Sequence, residues 1–237
     1  MPKHSKRFTA GTTLIDREKK YDPAEAISLV KQTANAKFDE TIEIHFRTTA
    51  DPRHADQQLR GVATLPAGLG KKVRVAVFTA GEAARVATEA GADVVGADDL
   101  VERIEGGFLE FDVAIATPDM MGKIGRLGRI LGRKGLMPNP RTNTVVQEAD
   151  IPGAIAEAKK GRVELRMDRT AIIHSAVGKA SFDEKALLEN LTAVVDTINT
   201  LRPTAIKGPF VKTAYLTSTM GPSVPLDLAT TLTLKAE

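Results

Sequence analysis

Gly61-Val62-Ala63-Thr64-Leu65-Pro66-Ala67-Gly68-Leu69-Gly70-Lys71-Lys72-Val73-Arg74-Val75-Ala76-Val77-Phe78 is where the periodicity of this chain changes. The residues from Gly61 to Leu65 predict a short strand. The run Val73, Val75, Ala76, Val77, Phe78 is nearly continuous in apolar residues, as in a strand covered on both faces, which points to parallel sheet. Between them, Gly68-Leu69-Gly70 supplies a flexible crossing from one kind of sheet to another. Lys71 and Lys72 after these glycines invite a phosphate-loop reading, but the spacing of Gly, four residues, Gly-Lys-Ser/Thr is missing.

Downstream, strand and helix alternate: Glu82 to Ala90 is helical in composition, Asp93-Val94-Val95 is a short apolar run, Asp98 to Ile104 is helical again, and Phe111 to Ala116 is an apolar strand. That order implies right-handed crossovers and a small three-layer, Rossmann-like α/β module ending near Glu157 to Gly161. Its first turn, Thr79-Ala80-Gly81-Glu82-Ala83, lacks the three-glycine pattern that lets backbone approach a pyrophosphate. The module is expected to have a nucleotide-binding shape without the binding loop.

After Gly161 a two-residue alternation returns. Val163 and Leu165 oppose Arg162, Glu164 and Arg166, a turn follows at Asp168-Arg169-Thr170, and Ala171 to Val177 is expected to pair back as the second arm of a hairpin. Ser181-Phe182-Asp183-Glu184 has capping-box spacing, and Leu187, Leu188, Leu191, Val194, Val195, Ile198 and Leu201 form one apolar stripe of a long helix stopping before Pro203. A last strand is expected over Phe210 to Thr219, running into Met220-Gly221-Pro222. Upstream of the crossing, Asp22-Pro23 reads as an N-cap with proline at the first helical position, opening a helix to about Ala34. Ile42, Ile44 and Phe46 then alternate with Thr41, Glu43, His45 and Arg47 as a strand with one buried face.

Neither flank makes a domain alone. The architecture expected is therefore a discontinuous two-layer α+β domain formed by residues 1–68 and 160–237, with a three-layer α/β domain inserted at 69–159.

Charge follows this division. The 237 residues carry a net charge of only +3. Val73 to Glu157 holds nine Lys or Arg against thirteen Asp or Glu, which leaves 24 against 17 for the flanks. A polyanion is expected at the flanks, where Lys and Arg can displace counterions from phosphates. There is no cysteine, which excludes disulfides and thiolate metal sites and fits a reducing compartment. With no apolar run of about 20 residues, and a charged start at Met1-Pro2-Lys3-His4-Ser5-Lys6-Arg7 unlike a signal peptide, the chain is expected in the cytoplasm without a membrane partner.

Catalytic signals are absent. His4, His45, His54 and His174 show no metal-ligand spacing, so no metal is expected, and no Gly-x-Ser-x-Gly elbow occurs. His45 and His174 fall in strands, where satisfied or solvated histidines are the expectation. Neither enzyme activity nor a cofactor is expected. With no Trp, two Tyr and eight Phe, stacking of unpaired bases is also not expected. The strand threonines Thr41, Thr213, Thr217 and Thr219 suit hydrogen bonds to ribose and phosphate, though β propensity alone also explains them. Two readings remain for Met121 through Arg141, where glycine recurs every three or four residues: an RNA-facing basic strip, or a helix whose glycines permit close packing while its charges are solvated.

Lys37-Phe38-Asp39-Glu40-Thr41, Asp51-Pro52-Arg53 with Leu59-Arg60-Gly61, Gly125-Arg126-Leu127-Gly128 through Leu136-Met137-Pro138-Asn139-Pro140, Val177-Gly178-Lys179-Ala180-Ser181-Phe182 and Thr219-Met220-Gly221-Pro222-Ser223 together resemble the family of bacterial ribosomal large-subunit protein one, over Tyr21 to Val224. The resemblance implies a split first domain and an inserted second. It further implies binding to the mobile stalk of large-subunit ribosomal RNA beside the tRNA exit site, help in releasing deacylated tRNA, and repression of the protein's own operon mRNA. It implies a monomer off the ribosome. Lys37, Phe38, Thr41, Asp168, Arg169, Thr213, Thr217, Thr219, Met220 and Gly221 fall where the family meets RNA, which favours contact over propensity for the threonines. For the glycine-rich stretch it implies packing plus a secondary RNA contact. One departure is Ala171, at or near which many members carry glycine.

Overall fold

In the computed structural model, which describes residues 5–235, the chain is mixed α and β. His4 and the charged start before it lie outside the described residues, as do Ala236 and Glu237 at the end of the tail. The elements are α1 (Lys6–Thr13), α2 (Pro23–Thr33), β1 (Thr41–Thr48), β2 (Arg60–Thr64), β3 (Val75–Phe78), α3 (Glu82–Glu89), β4 (Val94–Gly96), α4 (Asp98–Glu105), β5 (Val113–Ala116), α5 (Met121–Ile124) and α6 (Gly128–Arg133), followed by α7 (Ile151–Gly161), β6 (Arg162–Arg166), β7 (Ile172–Lys179), α8 (Glu184–Thr200), β8 (Val211–Ser218), β9 (Val224–Pro225) and α9 (Leu228–Thr231). They form two compact units, one of residues up to Gly70 and from Val163 onward, the other spanning Lys71–Arg162.

The first unit is built on an antiparallel sheet of order β7-β1-β8-β9, with a separate pair β2-β6. Alternation along β1 decides its orientation: Ile42, Ile44 and Phe46 are fully buried, while Thr41, Glu43, His45 and Arg47 are not. The inward residues pack with Ile27 and Val30 of α2 and with Leu187, Leu191, Val194, Val195 and Ile198 of α8 in one core. Helices cover that face of the sheet. Asn190, the one polar residue of the α8 stripe, is fully buried; its Oδ1 accepts the Ala67 N–H (2.9 Å) and its Nδ2 donates to the carbonyls of Gly68 (2.9 Å) and Val177 (2.7 Å). It ties the chain leaving β2 to β7.

The second unit has three parallel strands in the order β4-β3-β5. All four residues of β3 are buried, and their alternation splits the core in two. Val75 and Val77 pack with Ile115, Ala83, Ala87, Ile151, Ile155 and Ala158, on the side of α3 and α7. Ala76 and Phe78 pack with Leu100, Ile104, Ile124, Leu127 and Leu131, on the side of α4, α5 and α6. A strand with apolar residues at every position needs two such covers, which is why the period-two signal vanishes there.

Four expectations need correction. The proposed hairpin arms do not form a ladder: β6 pairs with β2 and β7 with β1, and only Met167 and Ile173 form a bridge beside the turn. The Met167 N–H donates to Leu59 (3.2 Å) and Arg60 meets Glu164 (2.8 Å), so β6 follows β2 away from β7. The capping box is not made either. The Ser181 hydroxyl donates to Asp39 (2.8 Å), and α8 starts later, after Asp183, whose side chain forms no cap. Leu201 lies just beyond α8 and is exposed. Finally, close packing does not account for the glycine-rich stretch. Ile124, Leu127 and Leu131 are buried as their spacing requires, but a Cβ built at Gly122, Gly125, Gly128 or Gly132 would meet nothing within 4 Å.

The tail after Val224 also has structure that the sequence did not reveal. Tyr21 donates its N–H to Pro225 (3.0 Å) and accepts from Asp227 (2.9 Å), and Asp227 caps α9.

Candidate nucleic-acid interface

The face of the β7-β1-β8 sheet opposite α2 and α8 presents mostly polar side chains in cross-strand rows set by the register. Lys179, Thr41 and Thr219 lie at one end; Ala176, Glu43 and Thr217 come next; then His174, His45 and Tyr215; and Ile172, Arg47 and Thr213 close the other end. The sequence-predicted residues fall at its two ends. Lys37 and Phe38 lie in the loop before β1, beside the turn Thr219-Met220-Gly221 that follows β8, and with Thr41 and Thr217 they make one group. Asp168, Arg169 and Thr213 belong to the other end.

The first group is held by a reciprocal network. The Thr41 N–H donates to the Thr219 hydroxyl (3.0 Å), while the Thr219 N–H (3.0 Å) and hydroxyl (3.2 Å) donate to the Thr41 carbonyl. Lys179 donates to Thr41 Oγ1 (2.8 Å), leaving the hydroxyl proton free to point outward. Beneath them sits Glu40, only 1% exposed, which accepts the Ala36 N–H on one oxygen (2.7 Å) and the Met220 N–H on the other (2.9 Å). Burial pushes its carboxyl up, but those two N–H groups, together with Ser218 and the charge of Arg7, outweigh burial and hold it below the ordinary carboxylate value. Glu40 therefore bolts the Phe38 loop to the Met220 turn. Gly221 is required in that turn, since a Cβ there would sit 2.4 Å from Ser218 Oγ. The result is two large apolar side chains, Phe38 (54%) and Met220 (51%), displayed to solvent.

Glu40 was not singled out by sequence, although its parity with Ile42, Ile44 and Phe46 marks it as inward-facing. Similarly, His45 and His174 share the outward parity, and register sets them opposite each other.

At the other end, Asp168 Oδ1 accepts the N–H groups of Thr170 and Ile172 (both 2.8 Å) and closes the turn. Burial pushes the Asp168 carboxyl up, yet the Thr170 hydroxyl, the Ile172 and Thr170 N–H groups and His174 outweigh it, giving a value of about 2. Ala171 takes the left-handed conformation, φ 62°, and its carbonyl accepts both the N–H and the hydroxyl of Thr48 (2.9 Å each). That conformation costs an alanine about 1 kcal/mol or more. Ala171→Gly relieves that strain but gives up a buried methyl worth about 0.8 kcal/mol and adds about 0.4 to 1 kcal/mol of unfolded-chain freedom, so stability is expected to change by less than about 0.5 kcal/mol. Urea unfolding checks this, and a loss above about 1 kcal/mol, the sum of those two costs with no strain relieved, would contradict the strain assigned to this residue.

A match to the family model described as "Ribosomal protein L1p/L10e family" covers residues 30–222. The chain belongs to this family. It is similar to the "Large ribosomal subunit protein uL1" of Thermomicrobium roseum, 56% identical over 98% of this chain and 97% of that protein. The proteins of the same name from Dehalococcoides mccartyi (56%, covering 96% of each chain) and Chloroflexus aggregans (54%, covering 99% of this chain and all of that one) are comparably similar. The L1p/L10e family is one of ribosomal proteins, not of enzymes. Among the described residues, no group of three or more His, Asp or Glu could hold a metal, and no helix is long and apolar enough to cross a membrane.

Proposed function

We propose that this chain is a constituent of the large ribosomal subunit in the cytoplasm and that the unit formed by its two end segments binds large-subunit ribosomal RNA through the open sheet face. The observation that carries this reading is the Glu40 and Thr41–Thr219 network, which holds exposed Phe38 and Met220 and outward hydroxyls in fixed positions on the sheet face opposite α2 and α8. Hydroxyls and backbone suit ribose 2′-OH and phosphate in a folded RNA, and Lys37, Arg47, Arg169 and Lys179 supply the salt-sensitive part of the affinity. The uL1 relatives carry large-subunit names, which agrees with this choice of partner. The RNA bound is the mobile stalk beside the tRNA exit site, where the protein aids release of deacylated tRNA. A similar structure in its own operon mRNA is the second ligand, through which it represses translation. Off the ribosome it is a monomer and needs no cofactor.

Thr219→Val tests the interface. Losing the Thr219 hydroxyl orphans the Thr41 N–H and is expected to weaken binding by about 1 to 3 kcal/mol without unfolding the protein. The check is a gel-shift titration against ribosomal RNA fragments at two salt concentrations, with a melting curve as control; unchanged affinity would mean the contact lies elsewhere.

A further inference from the structure

Between the two ends of the open face lies a feature that the RNA-binding reading leaves unused. His45 and His174, direct cross-strand partners, bring their Nδ1 atoms to 2.8 Å, with ring centroids 5.0 Å apart and planes at 66°. We propose that the two imidazoles form a single proton-sharing site at the centre of this face, which takes up one proton when a nucleic-acid phosphate docks on it. The inference rests on the face being the RNA-binding surface.

At 2.8 Å one ring must donate an N–H and the other accept it. The neutral pair holds that shared hydrogen, and a first added proton enters at an Nε2 without disturbing it. A second would set two N–H groups against each other and break the contact, so the site carries a charge of zero or one and titrates as a unit. A metal ion does not fit between the rings, because two zinc–nitrogen bonds of tetrahedral geometry would hold the nitrogens about 3.3 Å apart.

The charged and titratable groups facing the pair come from every strand around it. On β1, Glu43 stands 4.0 Å from His45 Nε2 and Arg47 is two residues along the same face. From the turn before β7, Asp168 is 3.5 Å from His174 Nε2, and Lys179 lies at the far end of β7. On β8, Tyr215 is opposite His45, with Lys212 exposed at the bulge. Asp168 is already engaged by Thr170 and Ile172, so it orients His174 more than it neutralises it. Burial first, and then His174, hold His45 below the ordinary histidine value against the opposing pull of Glu43. The His45 ring is thus biased toward neutrality in the free protein. An arriving phosphodiester adds the anion that favours the charged form.

Linkage fixes the sign. If RNA raises the proton affinity of the pair, RNA binds more tightly as pH falls, by at most tenfold per pH unit for one proton. The experiment measures affinity of the full chain for a ribosomal RNA fragment at constant ionic strength between about pH 8 and about pH 6, where histidine titrates. His45→Gln and His174→Gln are measured alongside. The unmodified protein is expected to tighten by about threefold to tenfold across this range, and either glutamine to flatten the profile. Calorimetry of the unmodified protein in two buffers of different ionisation enthalpy gives the proton count independently of any variant. Net uptake approaching one proton supports the shared site. No uptake, or the same slope in all three proteins, overturns it while leaving RNA binding intact. Failure to bind at any pH defeats the underlying functional reading as well.

Discussion

Glu40→Gln is expected to weaken RNA binding about tenfold while the protein stays folded. The glutamine has the same shape, but only one of its terminal atoms accepts a hydrogen bond. Since Ala36 and Met220 each donate an N–H to a different oxygen of Glu40, one of them would face an amide NH2 and lose its partner. Losing a hydrogen bond to a charged carboxylate costs about 1.5 to 3 kcal/mol, and releasing either loop lowers the fraction of molecules with Phe38 and Met220 correctly set. Apparent affinity falls by that fraction. Filter binding beside a circular dichroism spectrum makes the comparison, and an unchanged affinity with an intact spectrum would remove Glu40 from any part in shaping the interface.

Asn190→Ala should produce the largest loss of stability, about 3 kcal/mol, the upper range for unsatisfied buried polar groups. Three backbone groups lose their partner at once: the Ala67 N–H and the carbonyls of Gly68 and Val177. Because the residue is fully buried, solvent cannot take over these contacts without opening the unit. Urea unfolding of the whole chain, followed at the transition of this unit, would register the change. A loss below about 0.5 kcal/mol, the scale of an ordinary surface substitution, would show that the exit from β2 is fixed by other means.

What could be read from the sequence followed from periodicity. Ile42, Ile44 and Phe46 declared a one-sided strand, the run Val75 to Phe78 a two-sided one, and Leu187 through Ile198 a helix face, because each pattern matches the geometry of its own element. What escaped depends on partners distant in the chain. Whether β6 pairs with β7 or with β2 is decided by Leu59 and Arg60, roughly a hundred residues upstream, and proximity to a turn wrongly favours β7. Ser181 had the spacing of a cap, but Asp39 competes for its hydroxyl. Glu40 and the His45–His174 pair were legible only in part: parity gave the side of the sheet each faces, while register between β1 and β7 gave the partner.

The open ground around the glycines of α5 and α6 has an energetic corollary. Alanine would fit at Gly122, Gly125, Gly128 and Gly132 without touching a neighbour, yet the three glycines that lie within α5 and α6, Gly122, Gly128 and Gly132, each forgo up to about 0.8 to 1 kcal/mol of helical propensity relative to alanine. Together they set this segment up to about 2 to 3 kcal/mol nearer to melting than packing requires, and it is already broken into two short helices joined by a tighter turn at Gly125–Leu127. In amide hydrogen exchange the backbone here should therefore open well before β3 and β5, whose residues lie between two apolar layers.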